Sequence, residues 1–203
     1  IDGAHDFEGL DELVRSSPAG ANGVVLLPHF KGAAAPYWNP AARGVFFNIT
    51  LATRKGDMAR AIVEAIALEM RENLILLGEI EGIDIRETVV AGGMTSFPLF
   101  NRIQADVYGT PIRKYPHTEA SSFGAFLSAS AAIGRYADVY EAYRALAPAT
   151  DYERIETDRD AHRLYEAIGG QRRKLYEALH TGGVYETIPE LEELLYPSHE
   201  GVR

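Results

Sequence analysis

The chain contains no cysteine. Disulfides, thiol catalysis and zinc–thiolate sites are thereby excluded, and a reducing compartment, the cytoplasm, fits. No apolar run approaches the roughly 18 residues of a membrane-crossing helix, so no membrane partner is expected. Nothing at the N-terminus reads as a secretory leader. The first residue is Ile1, read here as the mark of a trimmed chain. Basic charge is in short supply: 20 Lys and Arg face 29 Asp and Glu, a net charge of −9. That balance argues against a nucleic-acid partner. Six histidines are present, His5, His29, His117, His162, His180 and His199, and no two share one helix at i,i+4 spacing. No metal site is expected from them. Asn48-Ile49-Thr50 fits a glycosylation triplet, which without a leader is read as chance.

The remainder is ordinary globular material. Hydrophobic residues make up 46% and charged residues 24% of the 203, enough for a sizeable core without covalent staples.

Apolar runs and breakers give the order of elements. A short helix is expected over 10–14, ahead of the loop signal Ser16-Ser17-Pro18-Ala19-Gly20. Residues 24–27 read as a buried strand, and 31–43 as a structured loop that Tyr37 and Trp38 anchor. Residues 45–47 read as a short strand or an extended segment. A long helix is expected over 56–77, with Asp57 at its positive dipole end. Only Glu64 is polar between Ala61 and Leu68, so this helix is buried on most sides. Glu64 is a candidate catalytic carboxylate. The favoured reading is structural, because Arg60 lies one turn away and buried charges are paired. Further along come a strand over 87–91, a helix over 97–108 stopped by Gly109, and a strand over 111–115. A small-residue helix follows over 120–133, with Gly124, Ala125, Ser128 and Ala129 suited to close packing. Helices over 136–146 and 158–179 precede an acidic tail over 188–203, expected as a helix followed by disorder. Strands alternating with helices indicate an α/β layer.

The most informative stretch is Val89-Val90-Ala91-Gly92-Gly93-Met94-Thr95-Ser96-Phe97. A β-rich run ends in a Gly-Gly turn, and a helix is expected to open directly after it. Glycines let the backbone approach a bulky anion, and a helix start offers N–H groups and a positive dipole end.

Four blocks in order resemble the C-terminal domain of the FGGY carbohydrate kinases, a family that includes glycerol kinase and xylulokinase. The first is Leu26-Leu27-Pro28-His29-Phe30-Lys31-Gly32, then Ala35-Pro36-Tyr37-Trp38-Asn39-Pro40 and Ala42-Arg43-Gly44. The second joins Gly44-Val45-Phe46-Phe47-Asn48-Ile49 to Asp57-Met58-Ala59-Arg60-Ala61-Ile62-Val63-Glu64. The third is Gly92-Gly93 with the helix through Ala105-Asp106 and Gly109. The fourth is Glu119-Ala120-Ser121-Ser122-Phe123-Gly124-Ala125.

The resemblance implies an actin-like, RNase H-like ATPase lobe, a mixed sheet flanked by helices, the second of two lobes. It implies 1–22 as linker or the end of an upstream segment, 23–182 as the nucleotide-binding lobe and 183–203 as an acidic C-terminal tail. ATP and Mg²⁺ are the implied cofactors, with Gly92, Gly93, Met94 and Phe97 on the nucleotide. The implied substrate is a ketopentose or small polyol, and the implied partner is the missing N-terminal lobe; a homo-oligomer is left open. The catalytic aspartate and first phosphate turn lie upstream in the family, so no catalytic residue is assigned here. Met94 stands where the family commonly has a third Gly, and Phe97 where it has Asn or Ser. Those two bulky residues also admit a second reading, a non-catalytic structural or regulatory relative with a filled nucleotide pocket.

Overall fold

A computed structural model describes residues 7–115, 119–147 and 152–195. The expected disorder over 196–203 and His5, His117 and His199 lie outside the described residues.

The organising element is a 27-residue helix, α2 (Lys55–Glu81), longer at both ends than the sequence pattern suggests. Its start is held by Asp57. One carboxylate oxygen accepts from Ser17 Oγ at 2.6 Å and Asn22 Nδ2 at 2.8 Å, and the other from the Arg54 N–H at 2.9 Å. The Ser17 hydrogen bond, foremost among these, holds the Asp57 carboxyl below its usual range. A charged acceptor on orphan donors at a helix start is a strong cap. Helix α1 (Phe7–Arg15) lies against this end. Gly56 makes that approach feasible, because a Cβ there would stand 2.9 Å from the Leu13 carbonyl oxygen.

Two more helices complete the core: α3 (Pro98–Tyr108) and α6 (Arg159–Thr181). Val14 of α1, Ala59, Val63 and Ala67 of α2, Phe100, Ile103 and Val107 of α3, and Tyr165 of α6 pack together, with Phe97 among them. Small residues on α2 opposite aromatic and branched ones on α3 let the helices interdigitate.

The strands are short and form two sheets. Strands β1 (Val25–Leu27) and β2 (Val45–Phe47) pair antiparallel, Leu26 opposite Phe46. Strands β3 (Thr88–Val90) and β4 (Ile112–Lys114) pair parallel, Val89 opposite Arg113. A third strand, β5 (Glu153–Ile155), adds to β4 antiparallel and has no counterpart in the sequence reading. Its alternation is too brief to register. This is the expected mixed sheet flanked by helices.

Three local expectations are corrected. The helix after the Gly-Gly turn does not open directly: a 3-10 turn (Gly93–Ser96) intervenes, and α3 starts at Pro98. Trp38 does not anchor its loop. It is 76% exposed, while Tyr37 stacks on Tyr176 at 4.0 Å between ring centroids. In α4 (Ala120–Ala132), Leu127 and Ser130 are buried, but Ala125, Ser128 and Ala129 face solvent, and among the described residues a Cβ at Gly124 would meet nothing within 4 Å beyond its own helix. α5 (Val139–Leu146) lies beside α4, and α7 (Ile188–Leu195) is the last described element.

Candidate functional site

The Gly-Gly turn sits where β3 ends. The Val90 carbonyl still accepts from the Tyr115 N–H at 2.8 Å, which ties the strand end to the chain beyond β4. Gly92 then takes φ 102 and ψ 177, a region essentially closed to residues with a Cβ. From there the chain folds on itself. The Gly92 carbonyl accepts from the Thr95 N–H at 3.0 Å and from Thr95 Oγ1 at 2.7 Å. The Gly93 carbonyl accepts from Ser96 Oγ at 2.7 Å, and the Met94 carbonyl from the Phe97 N–H at 3.1 Å. The Thr95 carbonyl accepts from Asn101 Nδ2 at 2.8 Å. Four successive carbonyl oxygens are therefore engaged within the protein, and their negative ends do not compete with an anion approaching the turn.

The four residues singled out from sequence divide into two pairs. At Gly92 and Gly93, chain neighbours aside, no heavy atom of the described residues lies within 4 Å of the position a Cβ would take, so these residues leave that side of the turn open. Met94 is half-buried and packs against the helical core, and Phe97 is 2% exposed within it. The bulky pair supports the turn from the core. Thr95 and Asn101, which hold the turn's shape, were not singled out from sequence. The detectable signal was a polar residue directly after an apolar one that packs in the core: Thr95, buried, follows Met94, and Asn101, 1% exposed, follows Phe100.

Glu64 lies in a separate cluster. One of its oxygens accepts from Arg60 Nε at 2.7 Å, from Tyr165 Oη at 2.7 Å and from the Gly20 N–H at 2.9 Å. Arg60 Nη1 also donates to the Ser17 carbonyl at 3.0 Å. Burial pushes the Glu64 carboxyl above its usual range despite these donors, and likewise raises Tyr165. Through that one oxygen, Glu64 joins the 16–20 loop, α2 and α6. Its pairing with Arg60 is the one expected from their spacing.

A second buried cluster was not anticipated. Arg172 of α6 pairs with Glu69 of α2, whose Oε1 lies 3.8 Å from His29 Nε2. Burial, followed by the neighbouring Arg172 charge, pushes His29 down to about 4. Tyr37 and Tyr176 meet His29 edge-on, at 6.0 and 5.5 Å between centroids. This cluster fixes the 28–43 loop onto α2 and α6.

At this turn the described residues leave room beside two glycines, engage four successive carbonyls and lead into the start of α3. Among the described residues, no group of three His, Asp or Glu side chains is placed to hold a metal ion.

Known proteins resemble this chain. The model of the C-terminal domain of the FGGY family of carbohydrate kinases matches residues 3–133. Glycerol kinase from Enterococcus faecalis is 31% identical over 155 residues, 76% of this chain and 31% of that protein. Glycerol kinase from Clavibacter michiganensis subsp. michiganensis is 38% identical over 139 residues, covering 68% of this chain and 27% of that protein. The chain thus spans between a quarter and a third of the length of the relatives it matches. Among solved structures, xylulose kinase from Rhodospirillum rubrum superposes with a TM-score of 0.70 at 27% identity, over 89% of this chain and 35% of that one. Gluconate kinase from Lactobacillus acidophilus superposes with a TM-score of 0.73 at 20% identity, over 88% and 36%, and shares the fold.

Proposed function

This chain belongs to the FGGY family of carbohydrate kinases, whose C-terminal domain it carries, and from that premise we propose that it is the nucleotide-binding part of an ATP-dependent sugar or polyol kinase. The reaction moves the γ-phosphoryl group of ATP to a hydroxyl of a ketopentose or small polyol, a xylulose- or glycerol-like substrate. The observation that carries the reading is the open cradle at Gly92 and Gly93, located where the strand β3 ends.

In this reading the turn accepts the adenosine-phosphate side of ATP. Gly92 and Gly93 give the ligand room, Met94 and Phe97 brace the turn from the core, and Thr95 and Asn101 keep its carbonyls engaged. Mg²⁺ neutralises phosphate charge when bound, and the family's catalytic carboxylate belongs to its N-terminal lobe, outside the domain this chain matches. No residue of this chain is assigned the base. The cytoplasm is the proposed location, in keeping with a cysteine-free chain. The rival reading, a non-catalytic relative with a filled pocket, needs Met94 and Phe97 in ligand space. Their packing against the helical core speaks against it.

The test is a coupled ADP-release assay with a panel of pentuloses and polyols, run on the 203-residue chain alone and with the upstream half supplied. Alone, the chain should bind ATP on the order of millimolar, about −4 kcal/mol, and turn over nothing. With the upstream half, binding tightens and sugar-dependent turnover begins, because closure brings the remaining donors to the phosphates. Sugar-dependent turnover by the isolated chain would overturn the proposal.

A further inference from the structure

A second concave site, about 240 Å³ in volume, shares no lining residue with the Gly92–Phe97 turn. Its walls include Arg15 at the end of α1, Pro98, Asn101 and Arg102 in the first turns of α3, Lys114 at the end of β4 and Glu153 on β5. The volume is far above what a single water needs.

Two features of these walls point to one ligand chemistry. The first is charge. Three cations surround the cavity against one carboxylate, in a chain whose net charge is −9. Lys114 Nζ stands 3.4 Å from Glu153 Oε2, and Arg15 Nε 2.7 Å from Asp11 Oδ2. Both pairs reach solvent, so each is weak and yields to a doubly charged competitor. The first turn of α3, an 11-residue helix, adds its positive dipole end.

The second feature is Asn101. It is 1% exposed, its Nδ2 donates to the Thr95 carbonyl, and its Oδ1 has no hydrogen-bond partner among the described residues. The bond to Thr95 sets the amide's orientation, since a carbonyl can only accept. A buried amide oxygen left unpaired carries a desolvation cost that a donor removes. The cations call for an anion, and Asn101 Oδ1 calls for a hydroxyl or N–H.

We propose that this cavity binds a small phosphomonoester bearing a free hydroxyl. The phosphate lies among Arg15, Arg102 and Lys114, and the hydroxyl donates to Asn101 Oδ1. Binding reaches the Gly-Gly turn through two hydrogen-bonded steps: Asn101 holds the Thr95 carbonyl, and Thr95 holds the Gly92 carbonyl. The site goes beyond the kinase reading and stands whether or not the turn holds a nucleotide.

The test is a ¹H–¹⁵N NMR titration of the 203-residue chain with glycerol 3-phosphate, methyl phosphate, glycerol and sodium sulfate. Glycerol 3-phosphate should give saturable shifts at the Asn101 side-chain amide and the Gly92 amide. Methyl phosphate, which lacks the hydroxyl, should bind at least fivefold more weakly, and glycerol should give no saturable shift. Arg102→Gln and Lys114→Gln should each weaken glycerol 3-phosphate at least fivefold, with the rest of the spectrum preserved. Arg144→Gln, at an exposed cation elsewhere on α5, should leave it unchanged. The proposal fails if sulfate reproduces the shifts at equal concentration, an adventitious ion only. It fails equally if methyl phosphate matches glycerol 3-phosphate, or if both cavity variants bind as the unaltered chain does.

Discussion

Tyr165 Oη donates to Glu64 Oε1 at 2.7 Å, joining α6 to α2 across 101 residues of sequence. The same oxygen serves Arg60 and the Gly20 N–H. A carboxylate so engaged is a clamp between segments, and its removal strands its partners in the core.

Glu64→Ala should therefore cost about 3–5 kcal/mol, because the buried Arg60 guanidinium loses its counter-charge. Tyr165→Phe removes one donor of three and should cost about 1–2 kcal/mol. Urea denaturation of the two variants measures both. A stable Glu64→Gln protein that, joined to its upstream half, has lost all turnover would point instead to catalysis.

Gly92 and Gly93 should separate fold from ligand. At Gly92 the φ of 102 makes any side chain strained, and Gly92→Val should lose about 1–3 kcal/mol. Gly93 has no such φ, and the described residues leave space where its Cβ would stand, so Gly93→Val should change stability by less than about 0.5 kcal/mol. The same substitution should weaken ATP at least tenfold in the protein with its upstream half restored, because the valine occupies the cradle. Calorimetry gives the affinities; an unaltered one for Gly93→Val would remove the turn from the nucleotide site.

His29 should make the fold sensitive to acid. Its folded-state value near 4 lies below the ordinary 6.5 of the unfolded chain. The unfolded state binds the proton first, so stability is present above pH 6.5 and is lost as pH falls toward 4. The slope reaches about 1.4 kcal/mol per pH unit for one proton. Replacing the ring with His29→Phe keeps an aromatic contact with Tyr176 and should flatten the profile between pH 7 and 4.5, read as urea midpoints against the unaltered chain. Parallel profiles would show that the ring does not govern it.

The loop of residues 31–43 should tolerate loss of its tryptophan and not of its tyrosine. Trp38 is exposed and sits at φ 48, unusual for a bulky residue. Trp38→Asn should leave the melting temperature unchanged or slightly raised, since Asn accepts that φ more readily. Tyr37→Ala should cost about 2 kcal/mol or more, through the lost stack on Tyr176. Thermal unfolding of the two variants decides the contrast.

Much of this was legible in the amino-acid order. Long apolar periodicity marks α2, α3 and α6, because a helix face must repeat over several turns to be buried. The Gly-Gly turn after a β-rich run is visible because only glycine takes the backbone angles of Gly92. Arg60 and Glu64 announce their pairing through i,i+4 spacing on an apolar helix. Tertiary structure alone decided the rest. Whether Phe97 faces a ligand or the core depends on the 3-10 turn before α3, whose hydrogen bonds involve Asn101 from the next helical turn. Whether small residues on α4 are packed depends on what lies against them, and strand β5 exists because β4 offers it an edge. The clusters of Glu64 with Tyr165 and Glu69 with Arg172 join residues about 100 positions apart. Local pattern reports what a segment prefers; which distant donor reaches a buried acceptor is set by the packing of the helices that carry them.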